Sequence, residues 1–334
     1  MTPTRTRIAC FGEALIDFLA KPATAADEPR AFHQFAGGAP ANVAVAVARL
    51  GGEAQFVGMF GHDMFGDFLI DSLHRAGVGT DHIARTDAAN TALAFVALDE
   101  HGERHFNFYR PPAADLLFRR EHFHAACFTG LASFHVCSNS LTEDEIANAT
   151  VQGMQLARNA GAIVSCDLNW RPALWSPHVD PHPRLWAALD EADVIKLARS
   201  ELEFLAAPLA GEQESAVLAR LWQGRARLVL VTDGNAPVRW FTRAGSGSVP
   251  SFPVRAIDTT AAGDAFVGGL LFDLARRGID AAGFSTFLHD TQALELSLRF
   301  AAAVGALAVT RHGAFAAMPD FAQTHALLDG HLPT

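Results

Sequence analysis

The chain has 334 residues, 50% of them hydrophobic, and 26 Lys plus Arg against 36 Asp plus Glu give a formal net charge of −10. This acidic balance, with no basic run and no zinc-type Cys/His spacing, argues against a nucleic-acid binder, while the apolar content can bury a substantial core. No uninterrupted apolar run reaches the ~18 residues of a membrane span and no long apolar signal core opens the sequence, so a soluble cytoplasmic protein is expected.

In chain order, residues 7–11 predict a strand, and residues 39–50 and 67–76 predict helices. Residues 91–98 and 104–110 are two strand-like runs joined by Asp99-Glu-His-Gly-Glu103, a hairpin signal. The mix of aromatic and polar residues in Arg104-His-Phe-Asn-Phe-Tyr-Arg110 predicts one protected face and one wetter face. With residues 17–35 this hairpin is expected to form a small β lobe. Further along, 162–168, 193–197 and 227–232 predict strands, and 142–160, 212–222, 262–277 and 291–309 predict helices. Strands alternating with helices imply an α/β architecture with a mainly parallel sheet. The near-continuous apolar character of the later strands implies cover on both faces. Cys10, Cys127, Cys137 and Cys166 are scattered in apolar segments, as reduced, buried thiols would be, and the 15 histidines are too isolated to form a metal cage.

The stretch Asp258-Thr-Thr-Ala-Ala-Gly-Asp-Ala-Phe-Val-Gly-Gly269 opens the helix at 262–277. Thr259 or Thr260 is expected to cap that helix, and its small first turn leaves free N–H groups at the positive dipole end, where an anion can bind. Asp264 in that turn would repel an anion unless it meets a hydroxyl whose proton it accepts. Anion cradle plus base suggests phosphoryl transfer to an alcohol. The same residues also read as a capped helix packed tightly on a sheet. With an ordinary aspartate pKa of ~3.9, Asp264 is expected to accept the proton late, as the new O–P bond forms.

Other polar groups recur at successive strand ends. Gly37-Gly-Ala-Pro-Ala-Asn42 opens a helix; Gly37 and Gly38 allow close backbone approach to a ligand, and the Asn42 amide suits vicinal hydroxyls. Asp17 follows the first strand in Gly12-Glu-Ala-Leu-Ile-Asp17, where a carboxylate can accept two sugar hydroxyl bonds. The absence of GxGxxG after that strand argues against a dinucleotide enzyme. In Asp167-Leu-Asn-Trp-Arg171, Arg171 offers a planar cation to a phosphate and Asn169 supports the sugar or the transferred group. Arg110, closing the hairpin strand, is expected to reach the substrate from the lobe. Lys196 and Glu201 flank the next strand end, where a carboxylate can hold Mg²⁺ through water. Thr232-Asp-Gly234 reads equally as a nucleotide-phosphate turn or an ordinary one.

Together, and in this order, these motifs resemble the ribokinase-like (pfkB-type) family of carbohydrate kinases over essentially the whole chain. Gly37–Asn42 resembles the family's N-terminal signature and Asp258–Asp264 its C-terminal one. Gly102-Glu-Arg-His-Phe-Asn-Phe-Tyr-Arg-Pro-Pro-Ala-Ala-Asp115, Cys137-Ser-Asn-Ser-Leu-Thr142 and residues 298–310 resemble the family's bacterial fructokinase branch. The resemblance implies a three-layer α/β/α fold: one carbohydrate kinase domain over residues 1–334, with a β lid formed by about 12–36 and 91–112. It implies an ATP- and Mg²⁺-dependent fructokinase making fructose 6-phosphate, with Asp264 as base and the amides of Ala261, Ala262 and Gly263 as the anion hole. Asp17, Gly38 and Asn42 would hold the sugar, with Arg110 and Arg171 near sugar and phosphates. Thr232 and Gly234 would border ATP, and Glu201 matches the family's magnesium-linked acid.

The chain departs from the family pattern in three places. Ala261 stands where Gly is frequent, and Ala198 replaces the Asn of the magnesium-linked element. In the loop that binds a monovalent cation such as K⁺ in related kinases, the carbonyl positions match Asp258, Thr260, Ala308, Arg311 and Gly313, but the side-chain oxygen position is Ala317. A 2-keto-3-deoxygluconate kinase or another sugar kinase of the family, including a sugar phosphate kinase, and a non-catalytic sugar- or nucleotide-sensing relative are the alternatives. Exposed hairpin edges are often covered by a partner strand, so a homodimer through the lid is expected.

Overall fold

The computed structural model describes residues 6–21, 29, 31–98, 104–209 and 213–331. The first part of the chain folds as β1 (Arg7–Phe11), β2 (Leu15–Ala20), β3 (Phe32–Gly37), α1 (Ala39–Arg49), β4 (Ala54–Gly61), α2 (Met64–Arg75), β5 (Gly79–Thr86), β6 (Leu93–Leu98), β7 (Arg104–Tyr109) and β8 (Leu131–Cys137). Then follow α3 (Asp144–Asn159), β9 (Ile163–Asp167), α4 (His182–Leu189), β10 (Val194–Ala198), α5 (Arg199–Ala206) and α6 (Gln213–Leu221). The last part comprises β11 (Leu228–Thr232), β12 (Val238–Phe241), β13 (Ser246–Val249), α7 (Ala262–Arg276), α8 (Ala281–His289), α9 (Thr291–Ala308) and α10 (Phe321–Leu328).

Nine strands make one sheet in the order β13-β12-β11-β10-β9-β8-β1-β4-β5. Every pairing from β11 to β5 is parallel, and only the β11–β12 and β12–β13 pairings at one edge are antiparallel. Alternation along β1 shows why the strands are apolar throughout. Ile8 and Cys10 pack into one core with α1, α7 and α9, whereas Ala9 and Phe11 pack into the other with α3, α4 and α6. The architecture is thus three-layered, α/β/α. Chain order reverses about β1, which has β8 on one side and β4 on the other. A crevice at the carboxyl ends of such strands is where α/β sheets place ligands.

A second sheet, β3-β2-β6-β7, rises from the end of β1. It is antiparallel except for β2–β6. Its outer face carries Phe18, stacked on Phe95 at 5.0 Å, with Phe32 edge-on to Phe95 at 5.4 Å. Its inner face carries Leu15, Ala94 and Phe108. The turn expected at 99–103 lies outside the described residues.

The principal strands and helices lie where periodicity places them, but β4, β5, β8, β12 and β13, and the short helices α4, α5, α8 and α10, were not anticipated. β5 alternates polar and half-buried residues at a sheet edge, which resembles loop composition. The helix expected at 67–76 begins at Met64, because Asp63 caps it by accepting from the Phe65 and Gly66 N–H groups.

Candidate active site

α7 can lie deep between its neighbours because its glycines let it. A Cβ on Gly268 would fall 2.6 Å from the Ala46 Cβ of α1, and one on Gly269 would fall 2.9 Å from Val304 of α9. The start of α7 differs from expectation. Ala261, in the left-handed region at φ 60, is the N-cap, and no side chain caps the helix. Neither Thr259 nor Thr260 plays that part; the Thr260 N–H instead donates to Asp258 Oδ1 at 2.8 Å. The turn into α7 is thus held by Asp258, and the first-turn amides stay uncovered by side chains. The Ala262 N–H makes only a long 3.4 Å bond to the Thr259 carbonyl.

Two cavities flank this helix start. One, of about 700 Å³, lies between the second sheet and the carboxyl ends of β1, β8 and β9; it is lined by Asp17, Gly38, Asn42, Asn169, Arg171 and Asp264 among others. The second, about 980 Å³, runs between α7, α9 and the 251–256 segment; Lys196, Thr232, Gly234, Ala262 and Gly263 line it with apolar Val238, Phe252, Phe266 and Ala302. Thr259 borders both. Asp264 therefore faces the first cavity while the neighbouring Gly263 faces the second.

Asp264 is buried, and its Oδ2 accepts from Asn42 Nδ2 at 2.7 Å. Burial, then the charge of Asp167, push its pKa up to about 7, against the lowering pull of Asn42, Lys196 and Arg171. The ordinary value expected from sequence is thus corrected. Its environment brings this carboxyl close to neutral pH, where a general base works best.

Lys196 Nζ is 3.1 Å from both oxygens of Asp167, and both side chains are buried. Burial alone would lower its pKa, but Asp167 and then Glu201 outweigh burial and raise it. A Cβ on Gly263 would lie 2.9 Å from this ammonium, so only glycine lets the cation sit beneath the helix start. Gly37 and Gly38 serve a similar purpose. A Cβ on Gly37 would meet Asp17 Oδ2 at 2.2 Å, and one on Gly38, at φ 107, would meet the Glu13 carbonyl at 2.7 Å. The glycines thus let the strand-end carboxylates approach α1, in addition to the ligand approach expected of them.

Two expected residues sit differently. Arg110 does not line either cavity. It is 1% exposed, with Nε and Nη2 donating to Asp115 Oδ2 at 2.9 and 2.6 Å and Nη2 to the Asn139 carbonyl at 2.7 Å. Glu201 is also buried off the cavities. Its oxygens accept the Trp170 N–H at 2.8 Å and the Ala198 N–H at 2.7 Å, clamping the loop after β9 to the start of α5. Its preformed bonds suit a scaffold more than a direct metal ligand. Arg171 is exposed at the first cavity's rim. No group of three metal-ligating side chains occurs among the described residues.

Asp258 ties the α7 loop to the segment after α9. Its Oδ2 accepts the Gly313 N–H at 3.1 Å, and the Ile257 N–H donates to the Val309 carbonyl at 2.7 Å. Asp258, Thr260, Ala308, Arg311 and Gly313 thus belong to adjoining segments, with Ala317 buried nearby in sequence.

The residues not anticipated are Glu13, Asn139, Asp115 and Asp167. Glu13 and Asn139 line the first cavity, and Glu13 Oε1 accepts from Asn139 Nδ2 at 2.8 Å. Glu13, Asn139 and Asp167 have partners remote in sequence, so no local spacing signals them, whereas Asp115 pairs with Arg110 five positions away.

A deep three-layer α/β fold, with a buried carboxyl between two cavities at an uncapped helix start, defines a kinase that phosphorylates small hydroxylated molecules. The sequence profile of the pfkB family carbohydrate kinases matches residues 5–320, and the chain belongs to that family. It is 39% identical over 330 residues to fructokinase-1 of Zea mays, covering 98% of this chain and 99% of that one. The crystal structure of a Xylella fastidiosa fructokinase with bound ATP superposes with a TM-score of 0.94 at 59% identity, covering 98% of this chain and 99% of that one. A Vibrio cholerae O395 fructokinase in its fructose-, ADP- and calcium-bound form superposes with a TM-score of 0.85 at 32% identity, covering 97% and 99%. No described helix is long and apolar enough to cross a membrane.

Proposed function

We propose that this chain is an ATP-dependent fructokinase, converting D-fructose to D-fructose 6-phosphate, with Asp264 as the base. The observation that carries this reading is the position of Asp264, buried in the first turn of α7 between a polar and a partly apolar cavity. Fructose would occupy the first cavity, with Asp17, Gly38, Asn42 and Asn169 toward its hydroxyls. The adenosine of ATP suits the apolar walls of the second, with Lys196, Thr232 and Gly234 toward its phosphates.

Asp264 would take the proton of the fructose 6-hydroxyl as its oxygen bonds to the γ-phosphorus and the bond to the β-phosphate oxygen breaks, releasing ADP. The amides of Ala261, Ala262 and Gly263, at the positive end of α7, would stabilise the transferred group, assisted by Arg171. Mg²⁺ would ride mainly on the phosphates and water, with Glu201 acting through water at most. A K⁺ site would use carbonyls of the 258–260 and 308–313 segments, without a side-chain oxygen at Ala317.

The whole chain would act as one kinase domain, with the second sheet as its lid. Exposed Phe32 and Tyr109 on that sheet support a homodimer through the lid. Four buried free cysteines support residence in the reducing cytoplasm. The test is a coupled ADP-release assay at fixed Mg-ATP with fructose, ribose, 2-keto-3-deoxygluconate and fructose 1- and 6-phosphates. Turnover of another sugar and not of fructose would overturn the acceptor assignment.

A further inference from the structure

The floor of the first cavity holds a charge arrangement that the catalytic scheme does not use. Glu13 lines the cavity and is 1% exposed, with Oε1 accepting from Asn139 Nδ2 at 2.8 Å and from the Ala39 N–H at 3.2 Å. Behind it lies the buried guanidinium of Arg110, with Nε and Nη2 turned onto Asp115 and Nη2 also onto the Asn139 carbonyl. The cation therefore points away from the cavity. Among the described residues, the cavity sets the carboxylates of Glu13, Asp17, Asp258 and Asp264 against one lining cation, the exposed Arg171. Two further acceptors, Asn42 Oδ1 and Asn139 Oδ1, are buried without a hydrogen-bond partner among the described residues.

A wall rich in acceptors is complementary to a ligand rich in donors. Each hydroxyl of a neutral sugar can donate to such a wall, whereas a carboxylate or phosphate can only accept and meets like charge. We propose that the Glu13–Arg110–Asp115 triad is a specificity device, in which Asp115 withdraws Arg110 from the sugar cavity so that neutral polyols are accepted and anionic sugars refused. Asn139, gripped at its amide by Glu13 and at its carbonyl by Arg110, presents Oδ1 to a sugar hydroxyl as part of the same device. Burial raises the Glu13 pKa and Arg110 pulls it back, so the triad's charge depends on its members staying together. This inference rests on the sugar-kinase reading and names residues that would set its acceptor class.

The test measures binding by titration calorimetry, without ATP, for fructose and for 2-keto-3-deoxygluconate. It uses the wild type, Asp115→Asn and Glu13→Gln, with circular dichroism to verify folding. Both substitutions nearly preserve side-chain shape while removing one negative charge. The ratio of the two dissociation constants is expected to shift by about tenfold toward the acid in each variant. Adding Arg110→Met to Asp115→Asn is expected to reverse that shift, which a purely structural loss would not do. Equal weakening of both sugars, or an unchanged ratio in the two folded single variants, overturns the proposal. If the wild type fails to bind fructose, the acceptor assigned above is wrong, and the ratio is read with whichever neutral sugar of the assay panel binds.

Discussion

Asn42 Nδ2 donates to Asp264 Oδ2 across 2.7 Å, although 222 positions separate the two residues in the chain. The bond joins the first turns of α1 and α7 and favours the ionised carboxylate, against the burial that raises its pKa to about 7. Replacing Asn42 with Ala removes that support. The acid limb of the kcat/KM profile should then move to higher pH, with a rise in the sugar KM. A pH profile of both enzymes checks this, and coincident limbs would contradict the assigned role.

Asp264→Asn should reduce kcat by about 10²–10⁴-fold while sugar binding remains measurable. Near-wild-type turnover would remove Asp264 from the mechanism. The same variant should alter stability in a pH-dependent way. With a folded pKa of about 7 against an ordinary 3.8, the native carboxyl holds its proton more tightly than the unfolded one. Its ionisation therefore costs the native state nothing below pH 3.8, progressively more through the window up to about 7, and a constant amount above. Asp264→Asn should accordingly be the more stable protein at pH 8, by up to roughly 4 kcal/mol. Urea melts at pH 8 and pH 4 should show that advantage present and then nearly absent.

Lys196 and Asp167 form a buried pair beneath Gly263. Lys196→Ala would strand the Asp167 carboxylate in the core, at a cost of about 3–5 kcal/mol. Combining Lys196→Met with Asp167→Asn should recover part of that loss, because no uncompensated charge is left. Denaturant midpoints of the single and double variants measure the difference. Equal midpoints for all three proteins would show that the pair carries no strain of this kind.

Ala261 holds a left-handed backbone at φ 60. Left-handed conformation costs a non-glycine residue about 1–2 kcal/mol, part of which glycine returns through its greater unfolded-state freedom. Ala261→Gly should therefore stabilise the fold by about 0.5–1 kcal/mol, readable as a rise in Tm. A fall in Tm would show that the Ala261 methyl packs more favourably than its backbone is strained.

Hydrophobic periodicity made the alternating strands and helices legible, because a strand covered on both faces must be apolar and a helix on a sheet must carry a stripe. Short or polar elements such as β5 were not legible, since an edge strand has no buried face to impose a pattern. The two signature stretches were legible as well. The glycines themselves mark these stretches, while the reason for them lies in the fold: a Cβ on Gly37, Gly38 or Gly263 would meet Asp17, Glu13 or Lys196.

What the sequence by itself determined was the fold class, the family, and Asp264 at the start of a small-residue helix. What only the tertiary structure decided was the company each charge keeps. Arg110 reads as a substrate-facing cation until Asp115 and the Asn139 carbonyl are seen to hold it inward. Glu201 reads as an acid placed for a metal's waters, and only the structure shows that two backbone N–H groups also bond its oxygens. An aspartate expected to have an ordinary pKa is brought to about 7 once burial and Asp167 act on it. Burial and pairing depend on atoms brought together from distant segments, and a charge's pKa and reach follow from those neighbours.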